Sequence, residues 1–77
     1  MVQAYILIQA EAGRASSVAD EIATIQGVTH ADHVTGPYDV IARLEAASVD
    51  ELGRLVVARV QEIPGITRTV TCTVVNL

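Results

Sequence analysis

The spacing of apolar residues switches from a period of two to a helical period and back, twice, along this 77-residue chain. In residues 2–10 the side chains alternate with a period of two and many are β-branched, which is typical of a strand. Residues 14–25 carry apolar side chains at helical spacing, with start and stop signals on either side. Residues 28–35 and 38–46 are predicted to form two further strands, which a short turn joins into an antiparallel hairpin.

The second half of the chain repeats this order. Ser48 and Glu51 form a predicted capping box, in which the serine hydroxyl and the glutamate carboxylate each accept a hydrogen bond from a free backbone N–H. The helix ends before Pro64, which cannot extend it, and residues 66–75 form the last strand. The predicted apolar positions of this second helix are Val49, Leu52, Leu55, Val56, Val60 and Ile63. The β-α-β-β-α-β order predicts an α+β, ferredoxin-like fold, a four-stranded antiparallel sheet with two helices on one face.

Apolar side chains on both faces of the first strand predict self-association. Ala4, Ile6 and Ile8 alternate with Tyr5 and Leu7, and a domain of this size can cover only one face of its sheet with its own helices. Tyr5 and Leu7 therefore imply a second subunit packed on the other face. We expect a dimeric α/β sandwich or barrel.

Composition and charge restrict the class of protein. The chain is 51% hydrophobic with a net charge of −4, and its five basic residues are scattered arginines. This argues against a nucleic-acid surface, which needs clustered positive charge. No apolar run is long enough to span a bilayer, and the N-terminus lacks the features of a secretory signal. We therefore expect one cytoplasmic domain, comprising residues 1–77, with no cofactor.

Reactive side chains give little indication of catalysis. His30 and Asp32 are predicted on one face of a strand and His33 on the other, so the three cannot converge on one metal ion without ligands from elsewhere in the fold. Cys72 lies among alternating valines and threonines, where an isolated cysteine is usually a small buried hydrophobe. The last strand is predicted to present Val70, Cys72 and Val74 on one face and Thr67, Thr69, Thr71 and Thr73 on the other.

The turn between the two middle strands is the best candidate for a binding loop. Residues 35–39 read Thr-Gly-Pro-Tyr-Asp, in which glycine permits unusual backbone angles and proline fixes its own φ. Tyr38 and Asp39 would then lie at the rim of the turn. On the residues alone, ligand binding and simple capping of local amides by Asp39 are equally good interpretations.

Two segments in this order resemble the effector-sensing (RAM) domain of Lrp/AsnC regulators: the G-x-Y-D loop at 36–39 and the run IPGITRTVT at 63–71. The resemblance spans nearly the whole chain. It implies a ferredoxin-like subunit, a dimer of sheets packed face to face, and often rings of dimers with small effectors bound where dimers meet. Such regulators carry an N-terminal helix-turn-helix, whereas this sequence starts at the first strand, so a stand-alone member is expected.

Position by position, the resemblance implies an effector site. Gly36, Tyr38 and Asp39 are the expected effector-contacting group, with Thr69 and Thr71 nearby. Asp39 could pair with an α-ammonium group, and turn amides could hold a carboxylate. The expected function is therefore sensing of a small molecule, with an amino acid as effector, by an oligomer that could also join a full-length Lrp/AsnC regulator.

Two alternatives stay open at this point. One is a dimeric α+β barrel enzyme with monooxygenase- or isomerase-like chemistry, for which only His30, His33 and Tyr5 could serve. The other is a ligand-free interaction partner of a full-length regulator, whose threonine face pairs with the sheet of that regulator.

Overall fold

The computed structural model describes residues 1–75, so the last two positions of the expected 1–77 domain lie outside the described range. The elements are β1 (Val2–Ala10), α1 (Ala15–Ala23), β2 (Val28–His33), β3 (Val40–Ala46), α2 (Val49–Leu55), a π-helical segment (Val56–Val60) and β4 (Ile66–Thr73). The predicted order is confirmed. The predicted bounds were too wide, because residues 34–39 leave the sheet as a loop and α1 and β4 are each shorter by about two residues at the C-terminal end.

The four strands form one antiparallel sheet in the order β2-β3-β1-β4. The central strand β1 pairs with β3 on one side and with β4 on the other, so that Leu7 lies between Ile41 and Val70. Strands β2 and β4 are the two edges, and the sheet of the subunit is open. This arrangement confirms the ferredoxin-like fold.

One face of the sheet is covered by the helices and forms the core. Ala4, Ile6 and Ile8 of β1 are fully buried there, together with alternate residues of β3. Within residues 1–75 the buried apolar residues are Ala4, Ile6, Ile8, Val18, Ala19, Ile22, Ile25, Val40, Ala42, Leu44, Ala46, Leu52, Val56, Val60 and Ile63. The period-two and helical patterns of the sequence thus converge on a single cluster, since each places its apolar positions on one side of its element.

The second helix begins as predicted, but its α-helical part ends at Leu55 and is followed by the π-helical segment Val56–Val60, which the sequence pattern did not predict. The Ser48 hydroxyl accepts a hydrogen bond from the Glu51 amide at 3.1 Å, and the Glu51 carboxylate accepts one from the Ala47 amide at 3.1 Å, which confirms the predicted cap. The prediction that Val49 belongs to the apolar stripe is wrong, since this residue is 64% exposed in the first helical turn. Neither helix within residues 1–75 has the length and apolarity needed to cross a membrane.

The turn from α1 into β2 depends on a glycine. Gly27 has φ +101°, its carbonyl accepts a hydrogen bond from the Glu45 amide at 2.8 Å, and a Cβ built there would meet Leu55 Cδ1 at 2.8 Å and the Glu45 carbonyl oxygen at 3.1 Å. Both the backbone angle and the close approach to the Glu45 carbonyl therefore make a side chain at this position unfavourable.

The other face of the sheet, called here the open face, is not covered by any part of residues 1–75. It carries Gln3, Tyr5, Leu7 and Gln9 of β1, His30 and Asp32 of β2, Ile41, Arg43 and Glu45 of β3, and Arg68, Val70 and Cys72 of β4. Tyr5 is 42% exposed and Leu7 is half-buried. The prediction that Tyr5 and Leu7 lie opposite the helices is confirmed.

Two expectations about β4 need correction. Cys72 is exposed, not buried, because it lies opposite Tyr5 on the open face. Thr69, Thr71 and Thr73 lie opposite Ile8, Ile6 and Ala4, so they share the helix side of the sheet. A threonine face therefore cannot be the surface that packs against the sheet of a partner, since the open face carries other residues of β4.

Candidate functional site

Asp39 fastens the β2–β3 loop to the end of the central strand. Its carboxylate Oδ2 accepts a hydrogen bond from the Ala10 amide at 2.8 Å, and its own amide donates to the Ile8 carbonyl at 2.8 Å. Its carbonyl accepts a hydrogen bond from the Val34 amide at 2.9 Å, which closes the loop across its base. Asp39 is half-buried at this position. Where capping of local amides was expected, its side chain instead caps the Ala10 amide, 29 residues away in the sequence.

The tip of the loop is exposed and held from one side. Gly36 has φ +148°, and a Cβ built there would meet nothing within 4 Å, so the backbone conformation and not crowding calls for glycine. The Pro37 carbonyl accepts a hydrogen bond from Gln9 Nε2 at 3.0 Å. Tyr38 is half-buried between this tip and the start of β3. The loop therefore has a defined conformation, with its glycine accessible.

Thr69 and Thr71 lie on the other side of β1 from the loop. Thr69 is opposite Ile8 and half-buried, and its hydroxyl accepts a hydrogen bond from Gln61 Nε2 at 3.5 Å. Thr71 is exposed and lies opposite Ile6, about 7 Å further along β4 by strand rise. Both threonines are on the helix side of an edge strand.

The five expected effector residues do not meet at one point of a single subunit. Asp39 immediately precedes β3 and Thr69 lies on β4, the two strands that flank β1, so their main chains are about 10 Å apart, twice the strand spacing. Thr71 lies opposite Ile6, in the middle of β1. Three recesses in residues 1–75 are lined by other residues. Gly36 and Thr71 are exposed, so a ligand beside them would be only partly enclosed by one subunit.

Sequence reasoning missed three residues that shape this end of the sheet. Gln9 holds the loop tip, Ala10 supplies the amide that Asp39 caps, and Gln61 contacts Thr69. The signal for Gln9 in the sequence was a polar residue near the end of a mostly apolar strand, which does not specify a partner 28 residues away. These contacts are products of the tertiary fold.

Metal-ligating side chains do not converge in the described part of the chain. His30 and Asp32 lie on the open face, opposite Arg43 and Ile41, whereas His33 lies opposite the buried Val40. This distribution over two faces confirms the geometry predicted from the sequence. Residues 1–75 contain no group of three His, Cys, Asp or Glu side chains that could hold a metal ion.

The fold and loop define a ferredoxin-like α+β subunit with a structured hairpin loop, and comparison with known proteins gives its family. The model of the Lrp/AsnC ligand binding domain matches residues 3–76. The chain therefore belongs to the Lrp/AsnC ligand-binding domain family, whose members are regulatory domains of transcription regulators and not enzymes.

Individual relatives agree with this assignment. The chain is 39% identical over 54 residues to an uncharacterized HTH-type transcriptional regulator, PF0250, of Pyrococcus furiosus, covering 70% of this chain and 36% of the relative. The crystal structure of TTHA0845 from Thermus thermophilus superposes with TM-score 0.94 at 30% identity, covering 100% of this chain and 96% of that chain. The structure of E. coli AsnC gives TM-score 0.90 at 26% identity, over 99% of this chain and 52% of that chain.

A more distant neighbour shares the fold alone. The structure of the transcriptional regulator NMB0573 of Neisseria meningitidis, solved as a complex with L-Met, gives TM-score 0.84 at 17% identity and covers 97% of this chain and 50% of that chain. The chain thus spans about a third of the curated regulator from P. furiosus and about half of the two solved regulators.

Proposed function

We propose that this protein is an effector-sensing subunit that binds an amino acid beside the β2–β3 loop, in a site completed by another subunit. The observation that carries the proposal is the hydrogen bonding of the Asp39 carboxylate. Its Oδ2 is engaged by the Ala10 amide, which fixes the side chain at the end of the sheet. The other carboxylate oxygen remains to accept a hydrogen bond from an α-ammonium group, a charge-assisted contact.

The loop also offers donors for a carboxylate. The amides of Val34 and Asp39 are engaged by the Asp39 and Ile8 carbonyls, and Pro37 has no N–H. This leaves the amides of Thr35, Gly36 and Tyr38 as the donors of the loop. The accessible Gly36 allows a ligand to approach the main chain closely, and the ring of Tyr38 would form a wall for the ligand side chain.

Incomplete enclosure within one subunit supports a site shared between subunits. Small-molecule sites usually bury most of the ligand surface, whereas the loop tip at Gly36 and the side chain of Thr71 are exposed in one subunit. We propose that dimers form through the open face and that a second dimer closes the loop. The open face would also accept the equivalent face of a longer family member. That NMB0573 was solved with L-Met supports an amino acid as the first class of ligand to test.

Isothermal titration calorimetry with the twenty standard amino acids tests this function. Asp39→Asn is the decisive variant, because its side-chain oxygen still accepts from the Ala10 amide while its charge is lost. Asp20→Asn, an exposed change on α1, is the matched control for loss of one negative charge. We expect binding by the wild type and the control, and at least tenfold weaker binding by Asp39→Asn.

Thermal melting gives an independent readout. At a ligand concentration one hundred times Kd, binding to the native state stabilises it by about 2.7 kcal/mol. A wild-type protein that gives neither heat nor a melting shift with any of the twenty amino acids would contradict the choice of ligand. Equal affinity of the wild type and Asp39→Asn would contradict the site.

A further inference from the structure

Arg43 is the most unusual polar residue of the open face. It lies on β3, opposite Tyr5 of β1, and its guanidinium carbon is 5.9 Å from the centre of the Tyr5 ring. Its Nε is shut off from solvent and has no hydrogen-bond partner within residues 1–75. Buried donors are nearly always paired in native proteins, so this guanidinium group calls for an acceptor that the described chain does not supply.

The surroundings of Arg43 include one carboxylate. Tyr5, His30, Asp32, Ile41 and Arg43 line a recess of about 200 Å³ on the open face. His30 lies directly opposite Arg43 and Asp32 opposite Ile41, and Asp32 is exposed. Glu45, the other acid of this face, accepts a hydrogen bond from Gln3 Nε2 at 3.3 Å. Asp32 is therefore the acid best placed to serve a guanidinium group on this face.

We propose that a second copy of the chain completes this recess, with the Asp32 carboxylate of one copy accepting hydrogen bonds from the Arg43 guanidinium of the other. In a two-fold interface each contact occurs twice, because the same patch of both copies takes part. A surface that forms a two-fold interface must therefore carry both the acidic and the basic member of each contact. The open face does so, with two acids, Asp32 and Glu45, and two arginines, Arg43 and Arg68.

This balance of acids and arginines on the open face favours a second copy of the chain over a partner that carries charges of only one sign. The whole chain has a net charge of −4, so its negative excess lies elsewhere, and the open face offers no single-sign field to attract a polyanion or a polycation. The inference rests on the sheet-to-sheet dimer of the proposed function. It adds the residue pair that makes the dimer specific, since an unpaired charge in an interface is costly.

A charge-reversal mixing experiment tests the pair between copies. Arg43→Asp gives a chain with two carboxylates in the recess, and Asp32→Arg gives a chain with two guanidinium groups. Each variant alone would place like charges against each other, whereas a mixture of the two allows both opposite-charge contacts of a heterodimer. We expect sedimentation equilibrium to show at least tenfold weaker self-association of each variant, and recovery of the dimer on mixing.

Two milder substitutions distinguish loss of the contact from loss of the dimer through misfolding. Arg43→Met keeps an apolar side chain of similar length opposite Tyr5, and Asp32→Asn changes an exposed side chain. Both are expected to weaken the dimer at least tenfold with unchanged circular dichroism, whereas Arg59→Met, an exposed arginine on the helix side, is expected to leave it unchanged. A wild-type dimer that Arg43→Met, Asp32→Asn and mixing do not alter would overturn the pair and leave the dimer standing. A wild-type monomer at about 50 μM, a concentration at which a stable homodimer persists, would overturn both.

Discussion

Replacing Asp39 by alanine should measurably destabilise the protein, apart from any effect on ligand binding. The change removes the acceptor of the 2.8 Å hydrogen bond from the Ala10 amide, at the point where the loop joins the central strand. Hydrogen bonds to charged groups contribute about 1.5–3 kcal/mol to the free energy of unfolding. Because Asp39 is half-buried, water can partly replace it, and we expect a loss near the lower end, about 1.5–2 kcal/mol.

Asparagine at the same position separates the hydrogen bond from the charge. It retains an oxygen for the Ala10 amide, so the expected loss is only about 0.5–1 kcal/mol, the difference between a charged and a neutral acceptor. Urea denaturation followed by circular dichroism gives both values, provided that the slope with urea stays constant. Protein concentration must be held fixed, since an oligomer unfolds in a concentration-dependent manner.

The melting temperature provides a second measure of the same effect. For a domain of this size 1 kcal/mol corresponds to about 4–8 °C, so Asp39→Ala should melt roughly 6–16 °C below the wild type. An alanine variant within about 0.5 kcal/mol of the wild type, a difference typical of neutral surface changes, would refute the structural role of this carboxylate. It would also restore Asp39→Ala as a clean probe of ligand binding.

Three further changes test the fold, each by urea denaturation against the wild type. Gly27→Ala should lose about 1–3 kcal/mol, because φ is +101° and the new Cβ would meet Leu55 at 2.8 Å; a neutral result would mean that the turn is not rigid. Ser48→Ala should lose about 1 kcal/mol with its helix cap, and no loss would show that water replaces the cap. Ile6→Ala, at a fully buried position, should lose about 2–5 kcal/mol; a loss below about 1 kcal/mol would contradict a packed core.

The sequence was most informative where a local pattern repeats. The alternation in β1 identified Ala4, Ile6 and Ile8 as the covered face and Tyr5 and Leu7 as the other, and the structure confirms both. Prediction was weaker at the ends of elements, as at Val49, because a residue in the first turn of a helix can follow the apolar period and still point away from the core.

Strand β4 shows why alternation alone does not decide burial. Its residues alternate as predicted, yet Cys72 is exposed, since it lies opposite Tyr5 on the face of the sheet that the helices do not cover. Alternation within β4 does not say which of its two faces is turned toward the helices. That is decided by the register between β4 and β1, which is a property of the assembled sheet.

The sequence by itself determined the order of elements, the two faces of the central strand and the loop at residues 36–39, because periodicity, capping and turn chemistry act between residues a few positions apart. Only the tertiary structure decided which groups the side chains of Asp39 and Arg43 contact. The Asp39 carboxylate accepts a hydrogen bond from an amide 29 residues away. The Arg43 guanidinium lies over the Tyr5 ring of a neighbouring strand, with its Nε unpaired in the described chain. Such contacts depend on strand pairing across the chain, which brings together residues that no local pattern connects.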